Sequence, residues 1–370
     1  MRSVAIFSLI ALSSVAPPCI NDRDTVASEL RTAPTVAKSL VGWFDRLPPR
    51  YYEMRVERLK TKEKFSPSEH DDLAAALDRL GDPDGALQVM RQKAKLKLQG
   101  EDLYRLYANR GTFYAHGWLK RGAKVTEIDD AKAAERDIFT AVKIKPGAHF
   151  GRESTQLEVI RWLIATKTDP KTMSLGWWLA AKETDEQRRG KSPSHAEGLA
   201  GLVALGAAWE SVDTAAALAI LEDNDRNWQL ADFARFRTKE LMAAGKKAMD
   251  PVGAKEDIEM ELSGDPGVTE KGGDPKPAFE SLRKAADERH VALTEYVNGR
   301  LAAGRHPDTD SDFWKEWHEP AMPSIATPIA WGEIRRNASF FGSGFLLPIS
   351  ISTALVVGGL YLRKRFWTRG

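Results

Sequence analysis

Apolar side chains recur every three or four residues from Ser66 to about Gly245, and this spacing predicts helices. No convincing alternation of period two occurs there, and β-branched residues are sparse, so strands are not expected. Ahead of this region, Pro48 and Pro49 suit a helix start, and Tyr52 and later apolar residues follow at helical spacing. The pattern therefore predicts an all-α fold.

Within the helical region, the stretch HDDLAAALDRLGDPDGALQVM reads as two helices joined by a turn. The turn is predicted at Gly81–Gly85, because glycine and proline interrupt helices. Ala74 and Ala86 are small enough to let the two helix axes approach closely. The positions that share one face are His70, Leu73, Ala74 and Leu77 in the first helix, at spacings of 3, 1 and 3, and Ala86 and Met90 in the second, four apart.

A second copy of this pattern follows, with Tyr107, Arg110, Gly111 and Tyr114 at the same spacing and Ala134, Ile138 and Ala141 downstream. Pro146 is expected to end its second helix. Tyr114 and Ala134 are 20 positions apart, against nine for Leu77 and Ala86, so the second copy carries about 11 extra residues around WLKRGAKVTEI.

The two copies resemble the tetratricopeptide repeat, whose consensus is W-x2-L-G-x2-Y, then A-x3-F, then P. The resemblance covers residues 66–146; His70 or Tyr107 stands at the tryptophan position, and Arg110 stands where leucine is expected. It implies an α-solenoid of helical hairpins, which degenerate helices would extend to residue 245 because a stable stack needs about three units. GLAGLVALGAAWESVDTAAALAILED is predicted to be a third, degenerate hairpin.

In that family the first helix of each hairpin lines the concave face. The resemblance therefore implies an inward direction for six polar residues, namely Asp78, Arg79, Arg105, Asn109, Thr112 and His116. Of these, Arg79, Arg105, Asn109 and His116 are the candidate ligand- or peptide-binding residues. Arg105 and Asn109 are four positions apart, so together they could hold a peptide carboxylate or backbone amide. A solvated face is the alternative interpretation.

Two apolar segments, one near each end of the sequence, predict where in the cell the protein is located. Phe340–Leu362 contains no charged residue and is long enough for a transmembrane helix, and Arg363, Lys364 and Arg365 after it favour a cytoplasmic C-terminus. The run from Val4 to Ala16 suits a signal peptide. An uncleaved N-terminal anchor and a tail-anchored cytosolic protein are the alternatives. The remaining bulk is expected to be extracytoplasmic.

The predicted organisation runs as follows: signal peptide 1–19, N-terminal linker and leading helix 20–65, repeat-like domain 66–245, flexible linker 246–276, helix and juxtamembrane stalk 277–339, transmembrane helix 340–362, and basic tail 363–370. The arrangement is similar to that of membrane-anchored bacterial repeat proteins of uncharacterised function, a likeness that implies no activity. Residues from about 20 to 40 read as a linker. Trp228, Leu230, Phe233 and Leu241 are expected in the core, and Leu282, Ala285, Val291 and Leu293 form a weak stripe on a later helix.

No zinc, P-loop, Rossmann or serine-hydrolase motif occurs, so no metal, cofactor or catalytic residue is assigned. The chain carries a net charge of +2, and without Arg2 and the four tail cations the rest is mildly acidic (2 − 5 = −3), which argues against nucleic acid as a partner. The leading hypothesis is a membrane-tethered scaffold for a protein or peptide partner in the cell envelope. The alternative is an enzyme or accessory subunit with a site in the helical groove, for which Tyr107, Tyr114, His116 and His149 are the first suspects.

Overall fold

The computed structural model describes residues 21–25, 35–206, 208–249, 258–259 and 274–324. Across these ranges the protein is helical and contains no strand, which confirms the all-α fold class. None of the helices in this part of the chain combines the length and apolar character that crossing a bilayer requires. The predicted signal peptide, transmembrane helix and basic tail, and most of the predicted linker, lie outside the described residues.

The helices are numbered here in chain order. Their bounds are α1 Val36–Val41, α2 Pro49–Lys60, α3 Pro67–Arg79, α4 Pro83–Lys93, α5 Gly100–Lys120, α6 Ile128–Ile144, α7 Arg152–Thr168, α8 Leu175–Lys182, α9 Asp185–Arg188, α10 His195–Leu205, α11 Val212–Asn224, α12 Trp228–Ala243 and α13 Lys276–Ala302. Short 3₁₀ turns occupy Val125–Glu127, Ala148–Gly151 and Ala208–Glu210.

The starts of the first helices are fixed by local chemistry. Pro49 is the first residue of α2, as the sequence predicts. At α3, Ser66 and Glu69 form a capping box, in which each side chain accepts a hydrogen bond from the other residue's backbone N–H. Asp82 caps α4 by accepting a hydrogen bond from the N–H of Gly85. The turn between α3 and α4 is therefore shorter than predicted, since α4 already begins at Pro83.

The predicted hairpins α3–α4 and α5–α6 are both present, and each is held together through small residues. Ala74 and Ala86 are fully buried. At Gly111, an added Cβ would lie 2.8 Å from Cγ1 of Ile138, so only glycine permits this approach of α5 to α6. Most of the extra residues of the second hairpin extend its first helix: α5 has 21 residues, whereas α3 has 13.

Successive helices continue the stack and bring the end of the chain back to its beginning. Helix α7 packs on α6, and α10 packs mainly on α7 and α1. Although α10 and α11 touch as the predicted third hairpin requires, α11 lies mainly between α8 and α12. Helix α13 contacts α12, α1 and α2, so the helical layers close on themselves instead of ending as an open array.

The main hydrophobic core surrounds α1, which differs from the linker predicted for residues 20–40. Val36, Leu40 and Val41 are buried there, and Trp43 and Phe44 continue the buried stretch. Short helices carry weak local signals, so only the later helices packed around this one give it a stable position.

Two residues predicted to be buried are exposed. Trp228, the first residue of α12, is 57% exposed, while Leu230, Phe233 and Leu241 of the same helix are buried as predicted. Val291 is 55% exposed, while Leu293 is buried. Residues i and i+2 of a helix point about 200° apart around its axis, so Val291 and Leu293 cannot face the same neighbour.

The segment after α13 packs on the helical domain over residues 305–324, where the sequence predicts a stalk. Phe313 is fully buried, and its carbonyl accepts a hydrogen bond from the hydroxyl of Tyr296 at 2.5 Å. The neutral imidazole of His306 donates from Nε2 to the carbonyl of Tyr51 at 3.0 Å and accepts at Nδ1 from the N–H of Asp308 at 3.2 Å. Trp314 stacks on Tyr296, with ring centroids 6.1 Å apart.

Gly42 is predicted to be intolerant of alanine. Its φ of +84° is unfavourable for any residue with a Cβ, and an added Cβ would lie 2.9 Å from the ring of Trp209. Strain and overpacking together should lower the free energy of unfolding by about 2–4 kcal/mol, measured by urea denaturation. Gly245→Ala is the matched control, because Gly245 has a similar φ of +79° but no atom near the added Cβ. The clash at Trp209 is refuted if both variants lose the same amount.

Candidate functional site

Residues 21–25, called here the inner segment, lie among the helices of the domain. Arg23–Thr25 are helical, and Asp22 caps them by accepting a hydrogen bond from the N–H of Thr25 at 2.9 Å. Asn21, Asp22 and Thr25 are at least 95% buried. Polar side chains from α2, α3, α5 and α7 and from the segment after α13 bind these five residues, so the inner segment is the common contact of widely separated elements.

Asn109 of α5 binds the backbone of the inner segment. Its Oδ1 accepts a hydrogen bond from the N–H of Asn21 at 2.7 Å, and its Nδ2 donates to the carbonyl of Asn21 at 3.1 Å. A primary amide matches the donor and acceptor of one residue's backbone, so this contact holds the chain without depending on the side chain of Asn21.

Behind Asn109, a buried ion pair fixes the direction of its amide. Nδ2 of Asn109 also donates to Oδ1 of Asp71 at 3.0 Å, and Nζ of Lys93 lies 2.7 Å from both oxygens of Asp71. Lys93 and Asp71 are fully buried. Burial raises the pKa of Asp71 to about 7, against the opposing charge of Lys93. In its ionised form, paired with Lys93, Asp71 can only accept, so the amide nitrogen faces Asp71 and the amide oxygen is left for Asn21.

Arg55 of α2 joins the inner segment to the end of the domain. Its guanidinium is fully buried and contacts Asp24 at 2.6 Å and Asp308 at 2.8 Å. The hydroxyl of Tyr51 donates to Asp24 at 2.8 Å, and Arg58 contacts Asp308 at 2.5 Å. Burial alone would raise the pKa of Asp308, but hydrogen bonds from Arg55 and Arg58 outweigh it and hold the pKa below its usual range.

Two further contacts complete the attachment. Arg23 donates its backbone N–H to Oδ1 of Asp72 at 3.1 Å and its Nε to Oδ2 of the same carboxylate at 2.7 Å. Arg152 of α7 donates to Oδ1 of Asn21 at 3.0 Å and to Glu153 at 3.2 Å. The inner segment is therefore held through backbone and side chains at once.

Two of the four candidate binding residues, Asn109 and Arg105, bind different partners in the structure. Asn109 is fully buried and is occupied by the chain's own Asn21, as described above. Nε of Arg105 contacts Oε1 of Glu101 at 3.1 Å, one turn earlier on α5, and Lys145 contacts the other oxygen of Glu101 at 2.8 Å. Arg105 and Asn109 thus have separate partners in the structure.

The other two candidates tie neighbouring helices together. Arg79 donates to the carbonyls of Leu205 at 2.7 Å and Gly206 at 2.8 Å, at the C-terminal end of α10, where a cation complements the helix dipole. Nδ1 of His116 lies 2.7 Å from Asp78 and links α5 to α3. Thr112 accepts a hydrogen bond from Gln156 at 3.2 Å.

A cavity of about 300 Å³ adjoins the inner segment. Its walls combine carboxylates, tyrosines, two arginines and apolar side chains, including Asp22, Arg23, Asp24, Asp45, Tyr51, Tyr52, Arg79, Ala204, Leu205 and Trp314. Burial, reinforced by the nearby charge of Asp24, raises the pKa of Asp22 to about 6. Burial also raises the pKa of Tyr52 to about 12. The cavity therefore brings together one group that can exchange a proton near neutral pH, Asp22, and groups that can bind a polar ligand.

The residues first suspected of a catalytic role have separate partners. Tyr107 lies under the guanidinium of Arg110, 5.2 Å from its ring centroid, and His149 stacks on Tyr104 with centroids 6.0 Å apart. Tyr114 packs beside the apolar core of the α5–α6 hairpin, and His116 is bound to Asp78. None of the four lines the cavity. In the described part of the chain, no group of three or more potential metal ligands occurs.

Sequence reasoning missed the residues that hold the inner segment, notably Arg55, Asp72, Arg152 and Asp308. Three of them lie in helices, where an isolated charge is normally solvated. The one available signal was Asp71-Asp72, which interrupts the otherwise apolar face of α3 between His70 and Leu73. Two carboxylates at core positions require partners, but the sequence does not identify them.

No family model, curated protein or solved structure matches the chain.

Asn109→Ala is predicted to release the inner segment. It removes the partner of the Asn21 backbone and of Asp71, and should lower the free energy of unfolding by about 1–3 kcal/mol. Hydrogen exchange measured by mass spectrometry should show faster exchange at residues 21–25, with α1 still protected. Asn298→Ala, at an exposed position of α13, is the control and should leave both properties nearly unchanged. Unaltered exchange at residues 21–25 in Asn109→Ala would contradict the clamp.

Asp22 is predicted to make stability depend on pH. Its pKa rises from 3.8 to about 6 on folding, so the folded state retains its proton longer than the unfolded state. The stabilisation is complete below pH 3.8 and is lost as the pH rises through about 6, up to about 3 kcal/mol relative to Asp22→Asn. Urea denaturation of both proteins from pH 4 to 7 measures the difference.

Asp129→Asn is the control for Asp22→Asn, because the side chain of Asp129 is 95% exposed. This variant should follow the wild-type pH dependence. If Asp22→Asn follows it as well, Asp22 is not the group responsible.

Proposed function

We propose that the protein is a membrane-tethered, extracytoplasmic scaffold whose tetratricopeptide-like helical domain binds a protein or peptide partner of the cell envelope. The partner is bound at the cavity beside the inner segment, whose walls include Arg79, Tyr52 and Trp314. The membrane location rests on the apolar segments near the two ends of the sequence.

The observation that carries this proposal is the way in which Asn109 binds the backbone of Asn21. The same inner surface holds Asp24 through Arg55 and pairs Asp72 with Arg23. A buried amide directed at a backbone, flanked by arginines and carboxylates, is suited to a polypeptide segment that offers both donors and acceptors. The cavity extends this surface beyond residues 21–25, and its volume of about 300 Å³ is sufficient for a few side chains of a partner.

A second candidate function, an enzyme with its site in the same cavity, is favoured by one specific observation. Asp22 has a pKa of about 6, close to the working range of a general acid, and it lies beside Asp24 and the tyrosines. In this hypothesis Asp22 donates or removes a proton at a substrate bound in the cavity. Asp24 then stabilises positive charge there.

Filling the cavity is the test of the scaffold. Ala204→Trp places an indole at the cavity wall without removing any of the hydrogen bonds of the inner segment. Crosslinking in cells followed by purification of the detergent-solubilised full chain should recover a reproducible partner with the wild-type protein. Recovery should fall at least about tenfold with Ala204→Trp, the equivalent of about 1.4 kcal/mol in affinity.

Ala303→Trp, at an exposed position just after α13, is the matched control and should retain the partner. Equal recovery with all three proteins would reject the cavity as the binding site. A topology reporter fused after residue 370 should be active on the cytoplasmic side, and one fused within the helical domain on the opposite side. The reverse result would reject the extracytoplasmic location.

The enzyme hypothesis makes a different prediction. A panel of chromogenic esters and glycosides should reveal turnover that disappears in Asp22→Asn and persists in Asp129→Asn. A pH dependence with a midpoint near 6 would identify Asp22 as the acid or base. Turnover that is unchanged in Asp22→Asn would remove this hypothesis and leave the scaffold.

A further inference from the structure

Three guanidinium groups from separate elements surround the ring of Trp209. The Cζ atoms of Arg237, Arg46 and Arg283 lie 3.6, 5.3 and 5.3 Å from the ring centroid. Arg237 belongs to α12 and Arg283 to α13, while Arg46 lies in the loop between α1 and α2. These four residues are called here the arginine–tryptophan cluster.

The indole is held in a fixed position. Gly42 lies so close to it that an added Cβ would be 2.9 Å from the ring, and Phe44 meets it edge-on with centroids 5.4 Å apart. The carbonyl of Trp209 accepts a hydrogen bond from Nη2 of Arg237 at 3.0 Å. The cluster is therefore organised before any ligand arrives, which reduces the entropic cost of binding.

The cluster contains more positive than negative charge. Glu240 contacts Arg237 at 2.9 Å and Arg283 at 3.3 Å through the same oxygen, Oε2, and Asp287 contacts Arg283 at 3.1 Å. Three guanidiniums thus have two carboxylates, which leaves one positive charge uncompensated (3 − 2 = +1). Stacking on the indole attracts each cation to the ring but does not neutralise it.

Arg46 is the guanidinium that has no carboxylate partner. No acidic side chain of the described residues forms an ion pair with it, and its Nε is buried without a hydrogen-bond acceptor. Nε of Arg237, in a side chain that is 9% exposed, is in the same situation. Burial lowers the pKa of Arg46; the charge of Asp287, which is ion-paired to Arg283, opposes this shift, and the charges of Arg283 and Arg237 reinforce it. Buried donors without acceptors are costly, so this cluster is poorly compensated by the protein alone. The side chain of Arg46 is only partly buried, so an oxyanion at its terminal nitrogens would supply the missing negative charge.

We propose that the arginine–tryptophan cluster is a binding site for an oxyanion, a carboxylate or a phosphate group, with Arg46 as its principal ligand-binding residue. Guanidinium groups recognise such anions through two parallel N–H donors. Arg237 and Arg283 add charge, and Trp209 holds the cations in place. The site is formed by α12, α13 and the α1–α2 loop, so it does not depend on the function proposed for the cavity.

Binding of inorganic phosphate and of acetate by the full chain, measured by isothermal titration calorimetry at constant ionic strength, tests the proposal. The wild-type protein should bind at least one of the two with a dissociation constant in the millimolar range or tighter, about −4 kcal/mol or more favourable. Arg46→Gln should weaken binding at least about tenfold. Arg46→Lys keeps the charge but loses the two parallel N–H donors, so its affinity should lie between those of the wild type and Arg46→Gln.

Arg188→Gln is the matched control, because Arg188 is an exposed arginine with its own ion pair to Asp185 at 3.3 Å. It should bind the anion as the wild type does. The proposal is overturned if neither anion binds at about 10 mM, or if Arg46→Gln and Arg188→Gln bind equally well.

Quenching of tryptophan fluorescence gives a second readout that does not depend on heats of binding. Iodide is an anion and acrylamide is neutral, so the site should make Trp209 more sensitive to iodide than to acrylamide. The contribution of Trp209 is obtained as the difference between the wild type and Trp209→Phe. Phosphate should protect it, and Arg46→Gln should abolish the preference for iodide; equal quenching by both agents in the wild type counts against the site.

Vesicles identify the source of the anion. The full chain is reconstituted through its proposed transmembrane helix in phosphatidylcholine vesicles with or without phosphatidylglycerol, and quenching of Trp209 by iodide is measured. Protection of Trp209 by phosphatidylglycerol, lost in Arg46→Gln and absent with phosphatidylcholine alone, would assign a lipid headgroup. Binding of the soluble anion without protection in either kind of vesicle would assign a free metabolite or a partner's carboxylate.

Discussion

The buried ion pair between Arg55 and Asp308 is the contact on which the closed arrangement of helices depends. Its two side chains are fully buried, and they join α2 to the segment after α13, 253 residues further along the chain. Arg55 also holds Asp24, so one guanidinium connects the start, the first helices and the end of the domain. A buried charge without its partner strongly destabilises the folded state. Removing either member of a buried ion pair typically costs about 3–5 kcal/mol of folding free energy.

Around this contact the molecule divides its polar groups into two sets. The inner set includes Asp71 and Arg152, and it holds residues 21–25 either directly, as Arg152 does, or by orienting Asn109, as Asp71 does. These polar groups are therefore occupied by the protein's own chain. The outer set, around Trp209, retains excess charge. The cavity lies next to the first set, and the proposed anion site is built from other residues. The two proposed binding sites can therefore be separated by mutation.

The helical hairpins were predictable from the sequence, because they are set by local spacing, small residues and caps. Ala74, Ala86 and Pro49 behave as their positions predict, and the extra residues of the second hairpin extend α5. The inner segment and the closure were not predictable, because they depend on charges far apart in the chain. Asn109 was a candidate binding residue, but nothing in the sequence shows that Asn21 is its partner. The burial of α1 was missed for the same reason, since Val36–Val41 has too few residues to show a period.

The long sequence separation between Arg55 and Asp308 has a kinetic consequence. Neighbouring hairpins can form as soon as their residues meet, whereas a loop of 253 residues must be closed before this pair exists. The contact between α2 and the segment after α13 should thus form late in folding. It should also open early under denaturing conditions, which would expose residues 21–25 to proteases while the hairpins α3–α4 and α5–α6 are still intact.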